Sequence, residues 1–129
     1  MTLADDARTT LALLSLRVRL PVLVRMLPLD RVVSSALRGA TLHAEEPAIE
    51  RVERALSRTR VVPDTCLYRA LARFAVLRRS GRRVRFVMGV KDDGRELTGH
   101  AWVEEDGTPL GEALDADYAI TYAHPPDTP

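Results

Sequence analysis

The sequence predicts an α+β fold in which helices come first and one helix then packs on a small antiparallel sheet. Three observations carry that prediction. Apolar residues recur every three or four positions through most of residues 7–79. Residues 83–90 then switch to an alternating pattern. Gly or Pro punctuates most of the boundaries between segments. With 129 residues, 46% hydrophobic and 29% charged, the chain can bury one core and is neither disordered nor fibrous. Only 5% of residues are aromatic, so the core must be built mainly from Leu, Val and Ala. Residues 1–60 read as an N-terminal helical region and residues 61–129 as the part it packs on, together one domain.

Taken in order, residues 1–6 read as a frayed tail. Residues 7–20 form a helix with Leu11, Leu14, Leu16, Val18 and Leu20 on one broad face, broken or kinked by Pro21. Pro28 separates residues 22–27 from a second helix over 30–37, with Asp30 as its N-cap and Gly39 as its stop. Residues 40–46 are a loop. Pro47 suits the first turn of a helix that runs to about Arg58, with Ile49, Val52, Ala55 and Leu56 on one side. Residues 61–65 are a connector closed by Pro63, and Asp64 or Thr65 caps a helix over Cys66–Arg79. Leu67, Ala70, Leu71, Phe74 and Leu77 give that helix a core-facing stripe, and Ser80-Gly81 ends it. In the strand over 83–90, Val84, Phe86, Met88 and Val90 face one way and Arg83 and Arg85 the other. A turn over 91–94, strands over 99–104 and 108–112, and a loose end over 124–129 complete the chain.

The net charge is +1, unevenly spread. Residues 1–91 hold 18 Lys and Arg against 8 Asp and Glu, whereas residues 92–129 hold 1 against 10. A basic half alone would suit nucleic acid, but the acidic half would compete for it. The two halves are expected to pack with complementary fields, and no nucleic-acid partner is expected. Arg82, Arg83 and Arg85 suit a solvated strand face better than a site for an acidic partner. One cysteine allows no internal disulfide and fits the cytoplasm. No basic segment precedes an apolar run at the N-terminus, so no signal peptide is expected. Residues 11–29 are apolar, but Arg17, Arg19 and Arg25 interrupt them, and a membrane span needs about 20 nearly uncharged residues. A packed amphipathic helix or an interfacial one remains, without stable membrane insertion. His43 and His124 are isolated and form no metal set with Cys66. No glycine loop suits a phosphate. No metal, nucleotide or other cofactor is expected.

A lone cysteine is by default a small inert hydrophobe. Cys66, however, falls in the first turn of a helix directly after capping residues, where unsatisfied backbone N–H groups favour a thiolate. His100 lies on a strand and shares a face with Trp102 by the period of two. The segment Glu104-Glu105-Asp106-Gly107-Thr108 has the form of a three-residue hairpin loop with a glycine bulge. That loop would set Glu104 opposite Thr108 and His100 opposite Glu112, within cross-strand reach. A two-residue Asp106-Gly107 loop would instead pair His100 with Ala113 and turn Glu112 away. A carboxylate beside His100 would orient the imidazole as in any nucleophile–base–orienter set. Trp102 either walls a substrate groove or simply packs.

The run Thr65-Cys66-Leu67-Tyr68-Arg69-Ala70-Leu71-Ala72, then Val87-Met88-Gly89-Val90 and His100-Ala101-Trp102-Val103-Glu104, resembles the lasso-peptide leader peptidases. These belong to the transglutaminase-like cysteine-protease superfamily. The resemblance covers residues 61–112 and extends loosely to the arginine- and leucine-rich N-terminal helices. It implies a transglutaminase- or papain-like core and a cysteine peptidase that removes the leader from a ribosomally made precursor. It implies Cys66 as nucleophile, His100 as base and Glu112 as third member, where the family usually has aspartate; Asp115 and Asp117 are the alternatives. The implied partners are the precursor's leader region, a separate leader-recognition protein and the ATP-using macrolactam cyclase. The same superfamily chemistry also supports amide deamidation or acyl transfer to an amine, and a non-catalytic scaffold is the remaining alternative.

Overall fold

Helix α1 (Leu3–Met26) carries apolar residues on two sides, and the fold buries only one of them. The computed structural model describes residues 3–59, 65–92, 94–112, 114 and 118–126. In it α1 starts inside the expected tail and continues through Pro21, correcting the expected break. A proline inside a helix costs about 3 kcal/mol. Leu16 and Leu20 before it are fully buried, and Leu23 and Val24 after it pack on the same core. Each fully buried side chain of this kind contributes about 1.5–3 kcal/mol, and the half-buried Leu23 and Val24 add to it, so packing along the helix offsets the cost of the proline.

The buried face of α1 is Thr9, Leu13, Leu16, Arg17 and Leu20. Of the expected face only Leu16 and Leu20 are inside; Leu11 and Val18 are 65% and 56% exposed. Arg17 is buried because Glu53 of α3 (Glu46–Thr59) meets its guanidinium. Pro47 lies in the first turn of α3 as expected, Ile49 is buried and Ala55 is exposed. Helix α2 (Leu29–Leu37) has Pro28 at its N-cap without a side-chain cap bond. Asp30 is therefore not the cap; it accepts a 2.6 Å hydrogen bond from the Tyr122 hydroxyl. Among the described residues no helix is long and apolar enough to cross a membrane.

Helix α4 (Cys66–Arg79) has the expected bounds and is the centre of the molecule. Thr65 caps it, accepting a 3.3 Å bond from the Tyr68 N–H; Asp64 and Pro63 lie outside the described residues. α1 and α2 pack on it from one side, and strands β1 (Val84–Asp92) and β2 (Leu97–Glu105) from the other. Burial therefore runs almost unbroken from Ala70 to Leu77, broader than the single stripe the sequence suggests.

The antiparallel sheet is completed by β3 (Thr108–Pro109) and β4 (Ala119–His124), in the order β3-β2-β1-β4. β4 was not expected, and His124 is not part of a loose end: it pairs with Phe86 and sits edge-on to Phe74. The hairpin corrects the expected register. Glu105 pairs with Thr108 across a two-residue turn in which Asp106 (φ 52°) and Gly107 (φ 80°) are both left-handed, the requirement of a type I′ turn. The third strand then stops at Pro109 instead of reaching residue 112. The charge asymmetry is partly used here. Arg82 bridges Glu46 (2.8 Å) and Glu105 (2.6 Å), and Arg85 lies 3.5 Å from Glu104.

Candidate active site

Two elements bring the predicted residues to one place. Cys66 is the first residue of α4, free and half-buried, its side resting on the edge of the core. Its N–H lies in the first turn, where no helical acceptor exists. On β2, Ala101 and Val103 face the core beneath α4; by alternation His100 and Trp102 occupy the other face. The short β3 leaves β2 without a strand partner on that edge near His100, among the described residues. Cys66 and His100 consequently line one cleft of about 260 Å³, together with Arg69, Arg73, Trp102 and Glu112.

The imidazole is held from two directions. Glu112 places both carboxylate oxygens 3.0 Å from His100 Nε2. Trp102 stacks on the ring at 5.8 Å and 20°, and Tyr118 packs against both rings at 5.8 and 5.4 Å. Room for Tyr118 comes from Gly89, which pairs with His100 across the ladder. A Cβ at Gly89 would come 2.8 Å from Tyr118 Cβ and 3.1 Å from the Trp102 ring. Trp102 is only 4% exposed, and its indole N–H donates to Glu104 at 3.1 Å. It packs the histidine and also borders the cleft. Among the described residues the His100 ring hydrogen-bonds to Glu112 alone. That contact engages Nε2 and leaves Nδ1 on the other side of the ring.

Glu112 meets His100, but not by the expected route. Cross-strand pairing would have required the three-residue loop, which the chain does not adopt. Instead the ladder makes one further bond, Leu110 N–H to Val103 C=O at 2.8 Å. The backbone then turns at Gly111 (φ 77°), and Glu112 comes back over the histidine. Asp115 and Asp117 lie outside the described residues.

Residues 10–123 match the family described as the transglutaminase-like superfamily. The chain belongs to the transglutaminase-like superfamily. No curated protein and no solved structure matches it. Transglutaminase-like proteins are typically cysteine-based enzymes, and the α+β architecture is consistent with a transglutaminase-like core. Membership is compatible with a cysteine peptidase or an acyltransferase. Two residues at the candidate site, Arg73 and Tyr118, escaped sequence reasoning, and Gly89 entered it only as part of the run over 87–90. Gly89 carried a signal, because a glycine inside a strand marks a close approach. Arg73 carried a weaker one, lying two helical turns from Cys66 on the same side of α4.

Proposed function

We propose that this chain is a cysteine peptidase that removes the leader from a ribosomally synthesised lasso-peptide precursor. Cys66 is its nucleophile, His100 its base and Glu112 the orienter of the imidazole. One observation carries the reading: a free thiol at a helix N-terminus and a carboxylate-bound imidazole line the same cleft. The short sequence runs around Cys66 and His100 add the resemblance to the leader peptidases. His100 Nδ1 takes the thiol proton, and Sγ attacks the carbonyl carbon of the scissile amide. The oxyanion that forms is within the province of the Cys66 N–H. The C–N bond breaks as His100 protonates the leaving amine, and water then hydrolyses the thioester and restores the thiol.

A cleft of this size holds only a few residues around the scissile bond. In this reading a separate recognition protein binds the leader and raises its effective concentration, to about millimolar for a short tether. The macrolactam cyclase then acts on the freed core peptide, and all three proteins work in the cytoplasm.

The test is an assay of purified protein on full-length precursor, with and without the recognition protein encoded nearby. Cys66→Ala and His100→Ala should abolish cleavage, and Glu112→Gln should slow it by on the order of 10²–10⁴-fold. Cleavage by Cys66→Ala would sink the reading. Accumulation of an amine adduct when an amine is added would assign acyl transfer, and equal specificity constants with and without the partner would remove the delivery step.

A further inference from the structure

The contact between Glu112 and His100 has to be made against the strand register, and the backbone around Leu110 shows what makes it. From β3 the ladder ends at Pro109, with one more bond at Leu110. Continued as a strand, the chain would place residue 113 opposite His100 and direct Glu112 to the other face. At that point Arg73 reaches across from α4. Its Nη1 donates to the Leu110 C=O at 3.4 Å. The guanidinium also lies directly against Gly111: a Cβ built there would be 2.2 Å from Nη1 and 3.3 Å from Cζ. Gly111 is left-handed at φ 77°, a conformation that any L side chain resists.

We infer that Arg73 is a positioning residue, which with Gly111 forms a clasp that folds residues 110–112 back so that Glu112 reaches His100. The clasp joins α4 to the hairpin from the same helix that carries Cys66, seven residues earlier. It thereby sets the orienter and the nucleophile in one frame. Lysine could not replace the arginine fully, because a planar guanidinium fills the space over Gly111 while offering donors in its plane. The inference rests on the reading of Glu112 as the imidazole's orienter, but its test does not require turnover.

¹⁵N-histidine NMR spectra of the intact protein report which ring nitrogen of His100 carries the proton, with His100→Gln used to assign the signal. Wild type should show a single Nε2–H tautomer held by Glu112. Glu112→Gln should lose that signature. Arg73→Gln should lose it too, and adding Arg73→Gln to Glu112→Gln should change nothing further. Gly111→Ala tests the clasp without removing a charge and should give the same loss, which covers the case that Arg73→Gln does not fold. An arginine serving only general stability would lower the melting temperature and leave the tautomer intact. Retention of the wild-type signature in Arg73→Gln, or in Glu112→Gln itself, would overturn the inference. Should wild type show the signature and its expected losses yet fail to cleave precursor, the peptidase reading falls and the clasp stands. Where cleavage occurs, Arg73→Gln should lower kcat by on the order of 10²-fold, the cost of about 1 Å of misplacement, with little change in KM.

Discussion

Replacing Arg17 by methionine tests the most costly element of the core. Arg17 has no exposed side-chain surface and Glu53 is nearly buried beside it. Burial pushes the Glu53 carboxyl above the usual carboxylate range, while the charge and hydrogen bond of Arg17 pull it partway back. Arg17→Met removes that pull and leaves a buried carboxylate, a loss of about 3–5 kcal/mol at neutral pH. For 129 residues, an unfolding entropy of about 2.1 cal/mol/K per residue converts this to a fall of about 11–18 °C in Tm. The sign with pH follows from the raised value. A carboxyl raised in the folded state contributes stability fully below its unfolded pKa, about 4.3, and loses it as pH rises through the folded one. The variant's deficit relative to wild type should therefore be largest near pH 7.5 and shrink towards pH 4.5. Urea melts of both proteins at the two pH values measure it. Arg17→Met combined with Glu53→Leu should recover most of the loss, since an apolar pair of similar volume removes the stranded charge. An equal deficit at both pH values would mean that lost packing, not charge, explains the variant. A deficit under about 1 kcal/mol at pH 7.5 would refute the burial itself.

Two further outcomes separate the structure from its rivals. Cys66 is free and half-buried at a helix N-terminus, so iodoacetamide at neutral pH should modify it in the folded protein faster than a model thiol; modification only after denaturation would assign it to the core. Leu16→Ala should cost about 2–5 kcal/mol, whereas Val18→Ser, two residues along the same helix but outward, should stay within about 0.5 kcal/mol; denaturant melts showing the reverse order would mean that α1 is rotated.

The parts of the fold that were legible in the sequence are those written in local chemistry. α4 declared itself by Thr65 at one end, Ser80-Gly81 at the other and a dense apolar pattern between. Val84 and Phe86 marked β1 by alternation. The errors fall where two local readings are equally good and a distant element chooses. In α1, Leu11, Leu14 and Val18 repeat at helical spacing on one side while Leu13, Leu16 and Leu20 do so on the other. Only α4 and the buried Glu53 decide which side turns inward. Pro21 was a correct local signal that tertiary packing overrode. β4 escaped because it lies on an edge, with Ala119, Ile120 and Thr121 exposed, so burial wrote little alternation into it.

The candidate site shows the same division at finer scale. Cys66 and His100 were placed by helix start and strand alternation, which are local and held. Glu112 was placed by a hairpin register, which is local and failed: Asp106-Gly107 adopts the I′ turn that its own residues favour. Yet the carboxylate lies 3.0 Å from the imidazole. A strand satisfies its side chains two by two, so a one-residue slip should have carried Glu112 to the opposite face. The slip is cancelled because the strand is abandoned at Pro109, and the left-handed Gly111 beneath Arg73 reverses the direction that the ladder had set. Arg73 lies 37 positions before Leu110 in the chain, and no short-range pattern links the two. The placement of Glu112 is thus a property of the packing between α4 and the hairpin. A change on α4 that leaves Cys66, His100 and Glu112 untouched can still take the site apart.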